Sequence, residues 1–187
     1  MNGERGAALV IAVMGVFLMT ALGVSLAVMT STEIRIAANY ANAIEARYAA
    51  EAGLEIGMQE LRAHADWNAI LAGGSVSAFA DGQPSGTRQL SDGSSIDLTA
   101  LTNQVTAENP TWRLLSFGPV NRLHATEDLR SNAYIVVWVG DDPAKNPAVL
   151  TLRAEAFGPA GTRRALEASV SRTEEGTVRM LSWGEIR

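Results

Sequence analysis

The chain has 187 residues, is 47% hydrophobic, and carries a formal net charge of −5 and no cysteine. An acidic balance without any basic run argues against a nucleic-acid interface, which needs lysines and arginines to displace counterions. The missing cysteines exclude disulfides, thiol catalysis and cysteine-ligated metal.

Residues 7–29 read AALVIAVMGVFLMTALGVSLAVM, without a charge. Only Thr20 and Ser25 are polar, and each can bond back to a helix carbonyl. At 1.5 Å rise per residue such a run crosses about 30 Å of hydrocarbon. A secretory signal would have a shorter apolar core before a small-x-small site. Ser25-Leu26-Ala27 resembles such a site, but the run before it is too long and the sequence after it stays helical. Arg5 ahead of the helix favours an N-terminus in the cytoplasm. Gly15 and Gly23 would let neighbouring helices approach closely, although glycine is also simply common in membrane helices.

Residues 30–63 are rich in alanine and glutamate and predict a helix. Thr30-x-x-Glu33 has the form of a capping box that would start a new helix. Continuity is the better expectation, because neither proline nor glycine interrupts residues 24–52. Ile34, Ala38, Ala41, Ile44, Tyr48, Ala52 and Ile56 recur at spacings of three and four, predicting one apolar stripe. Arg35, Arg47, Glu51 and Arg62 fall largely off it. One helix over residues 7–63 would be about 85 Å long.

Residues 64–187 are enough for one modest domain with its own core. Gly, Ser, Asp and Pro cluster between residues 66 and 109 and predict turns. Residues 87–90 and 95–98 flank Ser91-Asp92-Gly93-Ser94 as a small hairpin, and residues 99–105 as a short helical turn. Strands are expected at 112–117, 133–139, Val149–Phe157 and 164–172, with 177–187 as a final edge strand. In Val149–Phe157, Leu150, Leu152, Ala154 and Ala156 alternate with Thr151, Arg153 and Glu155. That period predicts an antiparallel meander with one buried face, covered by the long helix.

No catalytic constellation is present. His64 and His124 stand far apart without ligand spacing, and no nucleophile elbow, phosphate loop or dinucleotide fingerprint occurs. Asp141-Asp142-Pro143, with Asn146, offers hard oxygen ligands of the kind Ca²⁺ takes. The same residues make good turns, and the alternating oxygen pattern of a dedicated calcium loop is missing, so a turn is the preferred reading. Trp112, Trp138, Trp183 and Phe157 are expected to be packing residues. No cofactor, metal or enzymatic activity is expected.

The start RGAALV, the Thr-Ala-Leu-Gly element at 20–23, Thr30-x-x-Glu33-x-x-Ile-Ala-Ala-Asn-Tyr40 and Tyr48-Ala-Ala-Glu-Ala-Gly-Leu-Glu55 together resemble the PilX-like minor pilins of type IV pili. The resemblance covers roughly residues 4–62; the remainder is similar to pilin and pseudopilin sheets only in general pattern. It implies an α+β pilin-like fold: a leader at 1–6, a transmembrane half-helix at 7–29, an amphipathic half at 30–63 and a periplasmic globular domain at 64–187. It also implies cleavage by prepilin peptidase after Gly6, leaving Ala7 as the N-methylated first residue.

The implied protein waits in the inner membrane, N-terminus cytoplasmic, until an assembly platform brings it into a filament with major and minor pilins. Gly15, Gly23 and Glu33 lie on the helix that such assembly would use. Two departures from the usual pilin stand out. Ala7 replaces the common Phe, and Ile11, the fifth residue after Gly6, stands where major pilins carry Glu. A subunit lacking that carboxylate suits a minor position near the filament tip. The alternatives are a minor pseudopilin of type II secretion, a singly anchored periplasmic binding module with an unprocessed N-terminus, and a secreted enzyme cleaved near Val28.

Overall fold

The computed structural model describes residues 3–73, 77–123, 131–141, 149–173 and 175–186. Helix α1 runs Gly3–Ala63 without a break, so the capping-box reading at Thr30 gives way to continuity. It starts four residues before the apolar run. Short helix α2 (Trp67–Leu71) begins where the Asp66 carboxylate accepts a hydrogen bond from the Asn68 amide, a cap not foreseen from the turn-rich composition. Strands β1 (Thr87–Gln89) and β2 (Ser95–Asp97) form the expected hairpin. Helix α3 (Leu98–Glu108) is longer than expected, started by Asp97, whose carboxylate accepts from the Thr99 and Ala100 amides.

Five strands follow: β3 (Arg113–Pro119), β4 (Tyr134–Asp141), β5 (Val149–Phe157), β6 (Arg163–Arg172) and β7 (Val178–Ile186). They form one antiparallel sheet in sequence order, with β7 at its edge. The fold is α+β. The chain forms two compact units, Met1–Ala41 and Asn42–Arg187.

Within the second unit, α1 packs on one face of the sheet. That face presents Ile135, Val137, Val139, Leu152, Ala154, Ala156, Leu166, Ala168 and Val170. The helix answers with Ala46, Ala49, Ala50, Leu54, Met58 and Leu61. This corrects the expected stripe: Ile34 is 64% and Tyr48 65% exposed, while Ala52 and Ile56 are only partly buried. The helix turned a different side to the sheet because size, not hydropathy, decided the contact. A Cβ on Gly53 would stand 2.7 Å from Ile135 Cγ2 and 3.0 Å from Ala154 Cβ. One on Gly57 would stand 3.1 Å from both Leu152 methyls. Only the side bearing Gly53 and Gly57 allows backbone and sheet to come this close.

The expectation of a single buried sheet face is also overturned. Tyr134, Val136, Trp138 and Phe157 point to the opposite face and are buried with Leu98, Val105, Trp112 and Phe117. Helix α3 and the β1–β2 hairpin contribute to this second cluster. Arg153 and Glu155, expected in solvent, lie beneath that layer with exposures of 8% and 0%. They are paired with each other and with residues around them. Arg153 meets Glu155 at 2.8 Å and Glu108 at 2.7 Å, and Arg163 reaches the other Glu155 oxygen at 2.6 Å. Trp112, Trp138 and Phe157 pack as expected, but Trp183 on β7 is 53% exposed.

Candidate functional site

The first unit is a helix whose side chains face outward. Every residue from 6 to 41 is exposed except Gly15, which is intermediate. Ile11 is 70% exposed and Phe17 74%. Gly6, Ala7, Ile11, Gly15, Gly23 and Glu33 all lie on this helix. No charge occurs between Arg5 and Glu33. The Thr20 hydroxyl donates to the Val16 carbonyl at 2.8 Å, and that of Thr32 to Val28 at 3.0 Å. Both are thereby satisfied inside the helix, the condition for a polar group on a surface facing hydrocarbon. The helix is long and apolar enough to cross a membrane.

Glycines separate the two parts of α1. Around Gly6, Gly15 and Gly23, no atom of the described residues beyond the immediate neighbours and the helix's own backbone lies within 4 Å of where a Cβ would stand. Nothing among the described residues therefore calls for glycine at these positions, whereas Gly53 and Gly57 are explained by the sheet.

Two polar clamps hold the sheet-bound part of α1. Glu45 accepts from the Ser131 hydroxyl at 2.8 Å and the Asn132 amide at 3.0 Å. At the C-terminal end of the helix, the Arg172 guanidinium donates to the Leu61, His64 and Ala65 carbonyls and stacks 4.4 Å from the Trp67 ring. A cation is favoured there by the helix dipole and by the carbonyls that the helix leaves unbonded. Neither clamp was visible in sequence, because each joins residues far apart in the chain.

The remaining candidates do not converge. His64 Nδ1 lies 2.9 Å from the Glu60 carbonyl, and Glu60 accepts from Ser77. His124, Asp142 and Asn146 lie outside the described residues. Asp141 ends β4, and its carbonyl accepts from the Thr111 hydroxyl at 2.7 Å. No group of three metal-ligating side chains occurs among the described residues.

Residues 5–55 match the family model of the PilX N-terminal domain. This segment is similar to the N-terminal segment of PilX-like type IV pilins. No curated protein and no solved structure matches the chain. The PilX-like segment covers all of the first unit from Arg5 onward and continues into the sheet-bound helix as far as Glu55. It thus includes the exposed apolar surface, the unexplained glycines and the start of the sheet contact. A PilX-like N-terminal segment with one apolar helix is compatible with membrane anchoring and with a place in a pilus.

Proposed function

We propose that the chain is a minor pilin subunit, held in the inner membrane with its N-terminus cytoplasmic and then built into a type IV pilus-like filament. The observation that carries this reading is the PilX-like helix, whose residues 7–29 are uncharged, almost wholly apolar and turned outward. Such a surface serves equally in lipid and against other helices, so transfer between the two has a small free-energy difference. Prepilin peptidase cuts the Gly6–Ala7 bond and Ala7 becomes the methylated terminus. Gly15, Gly23 and Glu33 then face neighbouring subunits. The division proposed is a leader at 1–6, a membrane half-helix at 7–29, an amphipathic half at 30–63 and a periplasmic domain at 64–187.

Ile11 supports a position near the tip. A buried carboxylate is tolerated only with a partner charge, and a repeating pilin supplies one from the terminal amine of its neighbour. A subunit with Ile11 makes no such bond and fits where one axial neighbour is missing, near the tip, assembling with major and minor pilins on the inner-membrane platform. Mass spectrometry of the mature protein tests the processing. A methylated Ala7 terminus is expected, and an intact Met1 or a terminus near Val28 would refute it. Immunogold labelling of purified pili should find few copies, toward one end. Recovery with a secretion apparatus and not with pili would move the chain to the pseudopilins.

A further inference from the structure

The two edges of the sheet are treated differently. At β3 the chain covers its own edge. The Phe117 amide donates to the Phe79 carbonyl at 3.1 Å, and the Asp81 amide to the Phe117 carbonyl at 2.9 Å, as residue 80 bridges alongside. At the other end, among the described residues, β7 pairs with β6 alone. Edge strands are normally blunted by charge or by a cover, because their free amides and carbonyls template a further strand. Here β7 exposes Met180, Leu181 and Trp183 by 39%, 58% and 53%. Besides the charges of Arg179 and Glu185, its protection is one irregularity: Leu181 is the extra residue between the Val170–Met180 and Ser169–Ser182 pairs. Beyond it, residues 182–186 run regularly against β6.

Register fixes where the exposed side chains point. Met180 lies opposite Val170 and Trp183 opposite Ala168, so both are on the face that packs on α1. With Leu54 and Met58 they form a groove of about 180 Å³ beside the open edge. The other two lining residues are Glu51 and Glu55, and no basic residue lines it. Arg47 and Arg62 pair with these carboxylates at 3.2 and 2.9 Å from outside the lining, in exposed ion pairs of the kind that hold their geometry only weakly. The groove therefore has an apolar floor and an acidic rim.

We propose that β7 is a strand-addition site, taking an extended segment of a neighbouring filament subunit that pairs with residues 182–186. That segment places an apolar side chain between Trp183 and Met58 and a flanking lysine or arginine against Glu51 and Glu55. Main-chain hydrogen bonds supply attachment, and the groove supplies selectivity. That the donor is a filament subunit rests on the pilin reading above; the chemistry of the site does not.

The test uses the full chain in detergent and fluorescein-labelled nine-residue peptides, read by anisotropy. A peptide with a central valine and a lysine two residues to either side, on the same strand face, should bind about tenfold more tightly than one with glutamate at those two positions, and the difference should shrink in high salt. Trp183→Lys should weaken the valine–lysine peptide about tenfold, as expected for loss of a central aromatic anchor. Leu181→Ser, outside the groove, should not. Methylation of alternate peptide amides should abolish binding. Equal binding of the two peptides, binding by the methylated peptide, or an equal loss in Leu181→Ser would overturn the site. In cells, Trp183→Lys should lower incorporation into filaments while the mature terminus remains Ala7; unchanged incorporation would overturn the choice of donor. An unprocessed terminus with peptide binding intact would instead overturn the pilin reading alone.

Discussion

Substituting alanine at each of four glycines of α1 separates the two parts of the helix. Every Gly→Ala change in a helix gains about 1 kcal/mol of backbone propensity. At Gly53 the new methyl meets Ile135 Cγ2 at 2.7 Å and Ala154 Cβ at 3.0 Å. The first is a side chain with no exposed surface and the second is fixed to the β5 backbone, so helix and sheet must separate. Overpacking of this kind costs about 1–3 kcal/mol. The net is a loss of up to about 2 kcal/mol, or roughly 2–8 °C in melting temperature for a domain of this size. At Gly57 the neighbours are the two Leu152 methyls at 3.1 Å, the ends of a side chain that can shift, so gain and loss roughly cancel. At Gly15 and Gly23 nothing in the chain is met. Thermal unfolding of the full chain in detergent, followed by near-ultraviolet circular dichroism, reads the sheet-bound unit. The melting order should be Gly53→Ala lowest, Gly57→Ala near wild type, and Gly15→Ala and Gly23→Ala unchanged. A Gly53→Ala protein that melts at or above wild type would refute the claim that small size selected the buried side of α1.

Ile11→Glu should leave folding of the sheet unit unchanged but alter the copy number or position of the subunit in filaments, counted by immunogold labelling; wild-type number and position would sink the charge argument. Burial raises the Tyr134 hydroxyl to about 12, with Asp81 adding to the shift and Arg88 opposing it. A folded pKa above the unfolded value of about 10 stabilises the fold below pH 10, and this contribution is lost as pH rises from 10 toward 12. An absorbance titration should therefore show a late tyrosine phase near pH 12 that is missing in Tyr134→Phe. The Tyr134 hydroxyl lies near Asp81 and Arg88 but makes no hydrogen bond of good geometry among the described residues, so the same variant should lose little stability at pH 7. Arg172→Ala removes the cation from three helix-terminal carbonyls and from the Trp67 ring. A loss of about 1–2 kcal/mol is expected in chemical denaturation, because part-exposed helix-end carbonyls lose a charged donor while Leu61 keeps the Trp67 indole, with Arg172→Lys recovering part of it. An unchanged midpoint in Arg172→Ala would remove the clamp.

Period and composition carried most of the fold. Val149–Phe157 was legible to the residue because its apolar alternation ends on Gly158-Pro159. The hairpin at 87–97 was legible from Ser91-Asp92-Gly93-Ser94. What alternation could not reveal was the second buried face. Thr151, Arg153 and Glu155 look like a solvent face until α3 covers Arg153 and Glu155 and ion pairs satisfy their charges. The signal lay in β4, where Tyr134, Ile135, Val136, Val137, Trp138 and Val139 are all apolar or aromatic; a strand apolar on both sides is buried on both sides. The helix stripe failed for a different reason. Hydropathy scoring favours Ile34 and Tyr48, but a tight helix–sheet contact favours Ala46, Ala50, Gly53 and Gly57. The clamps of Glu45 and Arg172 were out of reach because nothing local marks either residue.

Small residues thus do two separate things along α1. From Ala46 to Gly57 they are accounted for by atoms of the same chain, at distances where one methyl changes the packing. From Gly6 to Gly23 no atom of the chain accounts for them. Glycine lowers helix stability by about 1 kcal/mol in a helix interior, so its use at positions 15 and 23 is a local disadvantage that folding of this chain does not offset. In the pilin reading the compensation comes from outside the chain, where glycine lets another helix approach. The same logic applies to the exposed apolar side chains from Leu9 to Met29, which are unfavourable in water and favourable in lipid or against helices of the same kind. If Gly15→Ala and Gly23→Ala both assemble as well as wild type, that compensation does not exist, and the first unit is only a membrane anchor.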